Sequence, residues 1–160
     1  MDLTTKRVTD QGHFGAGTHT SWTFRSGASA GSAFLPLLQV DYDVPVDAQN
    51  AVSPASTHGV GLSVRMQDGM AAPRDVSPKV AASYDEGRTW SVAGTTWQGH
   101  DSRCTTVVER SARLHRDALV TLRVTAIDAY GNSVRQTVTG AHPRRGTEWA
   151  LGPRCRELYR

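Results

Sequence analysis

Alternation of apolar and polar residues with a period of two is the feature that most constrains this chain. It is clearest at residues 119–127, and it recurs at 60–66 and, less regularly, at 134–138. Successive side chains of a β-strand point to opposite faces, so this spacing favours half-buried strands over helices. The stretches are also rich in β-branched and aromatic residues. The pattern predicts an all-β chain with little or no helix.

Two prolines lie within the longest alternating run, at residues 34–46. Pro36 and Pro45 exclude a helix across this run, because proline lacks the amide hydrogen that a helix needs. Prolines at these places are typical of an edge strand or of the first residue of a strand. A shorter run, at residues 21–25, carries Trp22 and is also predicted to be a strand.

Turn-forming residues separate the predicted strands. Asp and Gly occur together at residues 68–69, 85–87 and 128–132, each time after a predicted strand. The third of these is predicted to be a hairpin loop, with Gly131 or Asn132 at positive φ. Several short strands with regular turns favour a β-sandwich of the immunoglobulin or fibronectin-III type over alternating strands and helices.

Three regions differ in composition. Residues 1–17 are polar and Gly-rich, and they are predicted to be a linker or a truncated neighbouring strand. Residues 18–141 carry the alternating pattern and form the predicted β-sandwich module. Residues 142–160 are poor in strand pattern and are predicted to be a C-terminal tail. Only residues 111–118 could hold a helical turn, and their composition fits a loop equally well.

The charge balance does not indicate a nucleic-acid-binding protein. Lys and Arg outnumber Asp and Glu by only 18 to 15, and the arginines are scattered except in the tail. No apolar run is long enough to span a membrane. The first residues contain no apolar h-region, so no signal peptide is predicted. An exported form would then be a piece of a longer precursor, or the start of the chain would be wrongly placed.

The most specific motif is an Asp-box-like pattern, Ser-x-Asp-x-Gly-x-Thr-Trp. It consists of Ser83, Asp85, Gly87, Thr89 and Trp90. The carboxylate can accept hydrogen bonds from the backbone of a turn, the glycine permits positive φ, and the tryptophan can pack against the hairpin. These residue types suit a structural turn, which we also predict for Asp128, Gly131 and Asn132. A single Asp-box does not indicate a propeller, because a propeller needs several blades.

No catalytic or metal site is predicted. Ser29 lies in a Gly-x-Ser-x-Gly pattern, and Asp128 and His142 follow in the order of an α/β-hydrolase triad. That serine must join a strand to a helix, whereas the residues after Ser29 are predicted to be a strand. The six histidines show no metal-ligand spacing, and no cofactor-binding motif occurs.

The two cysteines, Cys104 and Cys155, leave two alternatives open. In an oxidising compartment they would pair and attach the C-terminal tail to the domain. Two free, buried thiols are the alternative.

Four stretches together resemble the C-terminal region of secreted subtilisin-like serine proteases, peptidase family S8, of Streptomyces and related actinobacteria. They share their order and spacing with that region, and they are residues 20–26, 35–42, 80–90 and 120–134. The resemblance covers roughly residues 18–141, and in that family the module follows the protease domain. It therefore implies an upstream protease domain in cis as the partner.

The resemblance implies a non-catalytic role. The family's triad motifs, Asp-Thr-Gly, His-Gly-Thr-x-Val-Ala-Gly and Gly-Thr-Ser-Met, do not occur in this chain. We therefore expect an accessory module that stabilises the protease or positions its substrate and is not itself an enzyme. The resemblance also implies a secreted, extracellular setting, which favours a Cys104–Cys155 disulfide.

The alternative is a module that binds carbohydrate or a cell surface. Aromatic side chains could form a sugar-stacking platform if several were exposed on one face, and the candidates are Trp22, Tyr84, Trp90, Trp97 and Tyr130. The other interpretation is that most of these rings pack in the core, as buried aromatics do in many sandwiches.

Overall fold

The computed structural model describes residues 1–6, 17–27, 30–48, 51–52, 57–97, 103–109 and 118–144, and these residues contain strands but no helix. The all-β prediction is therefore confirmed. The strands are β1 (Asp2–Lys6), β2 (Gly17–Thr23), β3 (Leu38–Asp43), β4 (Thr57–Met66), β5 (Ser77–Ser83), β6 (Ser91–Val92), β7 (Gly94–Trp97), β8 (Arg103–Glu109), β9 (Ala118–Ile127) and β10 (Ser133–Arg144). The described part of the chain has no helix that is long and apolar enough to cross a membrane.

The strands form two antiparallel sheets. The larger sheet has the order β1-β2-β10-β9-β5-β6, and the smaller sheet has the order β3-β4-β8-β7. In immunoglobulin constant domains the orders are ABED and CFG, so the last strand lies at a sheet edge. Here the last described strand, β10, lies between β2 and β9. The two-sheet architecture agrees with the prediction, but the strand order is not that of an immunoglobulin domain.

The core lies between the two sheets. Burial alternates along β4, whose inward side chains pack against those of β5 and β9 in the larger sheet. The central residues are at most 3% exposed, and they are Val60, Leu62, Val80, Ala82, Cys104, Val108, Val120, Leu122 and Val124. Each fully buried Val or Leu side chain contributes roughly 1.5–3 kcal/mol relative to an exposed one. The apolar residues of the period-two pattern therefore stabilise the sandwich, because they lie on the buried face of each strand.

Several strands differ from the sequence predictions, among them β3, which is shorter, β8, which was not predicted, and β10, which is longer. β3 covers only Leu38–Asp43 of the run at 34–46, because Pro36 and Pro45 interrupt backbone pairing on both sides. β8 has no clear apolar pattern because its inward residues include Thr106, which is completely buried. β10 extends to Arg144, into the predicted tail, after a register irregularity between Val138 and His142.

The N-terminal residues contribute a strand to the larger sheet. β1 pairs antiparallel with β2 from Asp2–Ser21 to Lys6–Gly17. Residues 7–16, between these two strands, lie outside the described residues. The region at 111–118 lies outside them as well, except for Ala118, which begins β9.

Candidate functional site

The Asp-box motif forms the turn between β5 and β6. The Ser83 hydroxyl donates to Asp85 Oδ1 at 2.8 Å and accepts from the Gly87 amide at 2.8 Å. Asp85 also accepts from the Thr89 amide at 2.8 Å and from the Thr89 hydroxyl at 2.6 Å. These bonds, those from Thr89 above all, hold the pKa of Asp85 down to about 2. The motif is thus a hydrogen-bonded turn in which the carboxylate accepts the bonds.

Gly87 and Trp90 complete this turn. Gly87 has a φ of 90°, which favours glycine, and a Cβ there would lie 3.2 Å from Trp90 Cζ2. The Trp90 indole donates to the Gly87 carbonyl at 2.9 Å. The turn therefore holds the indole ring against its own backbone.

Trp90 also contacts an arginine on the outer face of the larger sheet. The Arg123 guanidinium carbon lies 3.7 Å from the centroid of the Trp90 ring, which is a cation–π contact. Arg123 Nε is buried and has no hydrogen-bond partner. The stacking fixes the position of the guanidinium beside β9 on the side of β5 and the Asp-box turn.

Three cations lie close together on this outer face, and we call Lys79, Arg123 and Arg135 the cationic face. Lys79 and Arg135 both lie opposite Thr125, one on each side of β9, which places their backbones about 10 Å apart. Arg123 lies on β9 between them, two residues before Thr125. None of the three makes an ion pair with a carboxylate of the described residues.

The charges of the cationic face repel one another. Burial and then the charge of Arg135 lower the pKa of the Arg123 guanidinium. On the outer side of the neighbouring strands, the side chains are mainly hydroxyl groups, among them Ser21, Thr125, Ser133, Thr137 and Thr139. Asp2, opposite Ser21 on β1, is a carboxylate on the same side of the sheet, one strand further out. The face therefore combines an excess of positive charge with hydrogen-bonding side chains, which suits an anionic partner.

The predicted turn at residues 128–132 is organised by Asp128. Its Oδ1 accepts from the amides of Tyr130 and Asn132 at 2.9 and 2.8 Å, and its Oδ2 accepts from Asn132 Nδ2 at 2.8 Å. Gly131 has a φ of 80°. These bonds occupy both carboxylate oxygens of Asp128, which is buried, so the residue closes the hairpin between β9 and β10.

The structure does not bring a hydrolase-like triad together. Ser29 lies outside the described residues. His142 pairs with Val120 near the start of β9, whereas Asp128 follows the end of the same strand. Val120, which lies beside His142, and Asp128 are eight residues apart along an extended strand, which corresponds to about 26 Å.

His142 instead forms a buried pair with His58 between the two sheets. Their Nε2 atoms are 3.0 Å apart, and neither Nδ1 atom has a hydrogen-bond partner among the described residues. Burial is the main cause that lowers the pKa of each histidine to about 4, and Arg144 lowers both further. The described residues contain no group of three side chains that could hold a metal ion.

Arg144 and Tyr84 extend this polar cluster. The guanidinium of Arg144, which is completely buried, donates to the Tyr84 hydroxyl at 2.9 Å. Tyr84 in turn donates to the Glu109 carbonyl at 2.8 Å. The cluster joins β4 and β8 of the smaller sheet to β10 and the Asp-box turn.

The aromatic residues do not share one exposed face. Trp22 points between the sheets and donates to the Leu38 carbonyl at 2.7 Å, whereas Trp90 lies on the outer face of the larger sheet. Tyr84 is half-buried in the polar cluster, and Tyr130 is 62% exposed in the hairpin loop. The side chain of Trp97 lies outside what the structure describes. The described rings therefore form no common sugar-stacking platform.

Cys104 lies in the core and forms no disulfide within the described residues, and burial raises the pKa of its thiol. Cys155 lies outside the described residues, so the Cys104–Cys155 disulfide stays a prediction. No known family model and no curated protein matches this chain.

Sequence reasoning did not identify the cationic face. The turn at 128–132 does contain a signal for part of it, because a hairpin around that turn places Arg123 and Arg135 on the same side of adjacent strands. Nothing local places Lys79 beside them, since β5 and β9 are far apart in the chain.

Proposed function

We propose that this chain is a non-catalytic accessory module of a secreted protein, and that it attaches its parent to anionic polysaccharide. The cationic face is the observation that carries this proposal. Lys79, Arg123 and Arg135 converge on one side of the larger sheet without a described carboxylate partner. Carboxylate groups of a polymer would offset this charge and form charge-assisted hydrogen bonds with the guanidinium groups.

The spacing of the charges favours a polysaccharide over duplex nucleic acid. Specific duplex binders make roughly 6–10 phosphate contacts in a dense array. This face offers three cations, two of which have backbones about 10 Å apart with Thr125 between them. Sparse positive charge among hydroxyl groups suits a polymer in which carboxylates alternate with sugar hydroxyls.

The resemblance to the C-terminal region of subtilisin-like proteases supports the identity of the parent. An accessory module that holds a secreted protease on an anionic cell surface would keep the enzyme near its substrates. This role corresponds to the substrate-positioning function that the resemblance implies, and it assigns no catalytic residue to this chain.

Retention on immobilised polygalacturonate tests the proposal. We expect the chain to bind and the Lys79→Gln/Arg135→Gln variant to bind about tenfold more weakly, which corresponds to roughly 1.4 kcal/mol. The control variant Arg74→Gln/Arg103→Gln loses the same charge at exposed positions away from this face. It should bind as the wild type does. Binding should also weaken as salt is added, because exposed charges are screened.

Three results would contradict this function. They are equal retention on neutral cellulose, tighter binding to duplex DNA than to polygalacturonate, and equal losses in the two double variants. Equal retention on cellulose would indicate binding that does not depend on charge. Tighter binding to duplex DNA would indicate a nucleic-acid partner, and equal losses in the two double variants would show that retention depends on net charge and not on this face.

A further inference from the structure

The larger sheet extends beyond the smaller one at one flank of the sandwich. β3, the edge strand of the smaller sheet, lies over β10 and β2: the Tyr42 hydroxyl donates to Gln136 Oε1 at 2.9 Å, and the Trp22 indole donates to the Leu38 carbonyl. β1 lies one strand further out, beside β2. No described strand of the smaller sheet lies opposite β1, so the described residues leave a position for one further strand beside β3.

A cleft of about 450 Å³ occupies this position. Its walls come from both sheets and are mixed: the apolar side chains include Leu3, Trp22, Val40 and Val134, and Thr18, Gln39, Asp41 and Gln136 are among the polar ones. Leu3 pairs with Thr20, which is buried, so its side chain faces the cleft, and it remains 49% exposed. The cleft thus leaves apolar side chains in contact with water that a covering strand would bury.

β3 presents a free edge to the cleft. Among the described strands it pairs with β4 only, along six residues from Leu38 to Asp43, although the Leu38 carbonyl already accepts from the Trp22 indole. Backbone groups on such an edge lack strand partners and can pair with another chain. Pro36 and Pro45 limit the edge to this length.

Two carboxylates and two guanidinium groups lie on the outer side of β3 and its neighbouring strands, namely Asp41, Asp43, Arg65 and Arg103. Asp41 and Asp43 point away from the core, and Asp41 is bonded to Arg65 at 2.8 Å. Asp43 makes no ion pair with a described residue, and its side chain lies over Gly61. A residue placed beside Asp43 on a new strand would be favoured if it carried a positive charge.

We propose that β3 binds an extended peptide segment of another polypeptide, in which apolar and basic residues alternate. The segment adds a fifth strand to the smaller sheet by backbone hydrogen bonds to the edge of β3. Its apolar side chains enter the cleft and contact Leu3 and Trp22, and its basic side chains lie on the outer side beside Asp43. The peptide can make the apolar and the basic contacts at the same time, because successive side chains of a strand point to opposite faces. This site is separate from the cationic face.

Binding of a synthetic peptide tests the inference. The probe is an acetylated nine-residue peptide in which valine and lysine alternate, and its control has the same composition with the valines and lysines in separate blocks. We expect the alternating peptide to bind at least tenfold more tightly. Hydrogen exchange of the backbone amides of β3 should slow when it binds, and exchange in β6, at the opposite edge of the larger sheet, should not change.

Backbone methylation separates strand addition from simple charge attraction. A peptide that carries N-methyl groups on the amides of one edge cannot pair through that edge. One of the two alternately methylated peptides should therefore lose binding, and the other should keep it. Equal affinity of the two methylated peptides would overturn the proposal.

Matched substitutions locate the peptide. Asp43→Asn should weaken binding about fivefold, and Asp68→Asn, at a carboxylate in the loop after β4, should not weaken it. Leu3→Thr should weaken binding similarly, whereas Val92→Thr on β6 removes an apolar side chain that is even more exposed, at 87% against 49%, and should have no effect. Equal effects within either pair would overturn the assignment of the cleft.

Two results with the unliganded chain would also overturn it. The first is slow exchange of the outward-pointing β3 amides before any peptide is added, which would mean that the edge is already covered. The second is self-association of the chain that Asp43→Asn abolishes and that the peptide does not disrupt. That result would identify a second copy of the chain as the occupant of the edge.

Discussion

The carboxylate of Asp85 organises the turn between β5 and β6. It accepts bonds from the hydroxyl of Ser83 and from both the amide and the hydroxyl of Thr89. Trp90 lies on this turn and stacks on Arg123, so the turn also holds one member of the cationic face in place. Asp85 therefore affects both local stability and the geometry of the proposed binding surface.

We expect Asp85→Asn to lower the melting temperature, because the amide replaces an acceptor oxygen with a donor. The wild type should also lose part of its stability in acid. The pKa of Asp85 is about 2 in the folded chain and 3.8 in the unfolded chain, so its contribution is present above pH 4 and is lost as the pH falls through 2. Thermal unfolding between pH 2 and 7 measures both effects.

Asp68→Asn is the matched control for this change. Asp68 is 99% exposed and makes one surface ion pair, with Arg65, so its loss should have little effect on stability. If the two variants melted at the same temperature, the hydrogen bonds of the Asp-box turn would not contribute to stability.

Strand β4 carries two glycines on the outer face of the smaller sheet with different surroundings. A Cβ at Gly61 would lie 3.1 Å from the Cβ of Asp43 on the neighbouring strand, whereas a Cβ at Gly59 would meet only Thr105 Cγ2, at 3.8 Å. Glycine in a strand interior can mark a close approach of a neighbouring group. That reason applies to Gly61 and not to Gly59.

We expect Gly61→Ala to destabilise the chain by about 1 kcal/mol, because β3 must move to relieve the contact. Gly59→Ala should be neutral or stabilising by about 0.5 kcal/mol, because alanine restricts the unfolded chain. Urea unfolding of the two variants provides the comparison, in which each variant controls for the other. Equal free energies of unfolding would show that Asp43 does not approach Gly61 closely in solution.

The buried pair of His58 and His142 joins the two sheets and couples the stability of the whole sandwich to pH. Both rings are neutral in the folded chain at neutral pH, since their pKa values are about 4, whereas the ordinary histidine pKa, which applies to the unfolded chain, is 6.5. Protons therefore bind the unfolded chain first as the pH falls. The contribution of the two neutral histidines to the free energy of unfolding is fully present above pH 7. It decreases as the pH falls below 6.5, and below about pH 4 it changes no further.

We expect the free energy of unfolding to decrease by about 2 kcal/mol between pH 7 and pH 5, with allowance for residual solvent around His58. His58→Gln should remove a large part of this decrease, because only one buried ring then titrates. His19→Gln replaces an exposed histidine and should leave the decrease unchanged. Equal stability of the wild type at both pH values would contradict the neutral buried pair.

Local patterns were sufficient for the fold class and for several elements. The alternating stretch at 119–127 lies in β9, and the stretch at 60–66 lies in β4, because burial of one face of a strand leaves a period of two in the sequence. The turn residues of the Asp-box and of the loop at 128–132 have similarly local causes: a carboxylate caps nearby amides, and glycine adopts positive φ.

The binding surfaces depended on contacts between residues that are distant in the chain. Lys79 joins Arg123 only because β5 pairs with β9, and His58 meets His142 only because the two sheets stack. The open edge of β3 likewise results from which strands pair, and β8 was missed because its buried face includes Thr106. Side-chain periodicity reports which face of a strand is buried, but it carries no information about the neighbouring strand. Pairing between distant strands therefore determined which residues meet on the binding surfaces. Alternation along the chain determined which residues form strands and which of their faces is buried.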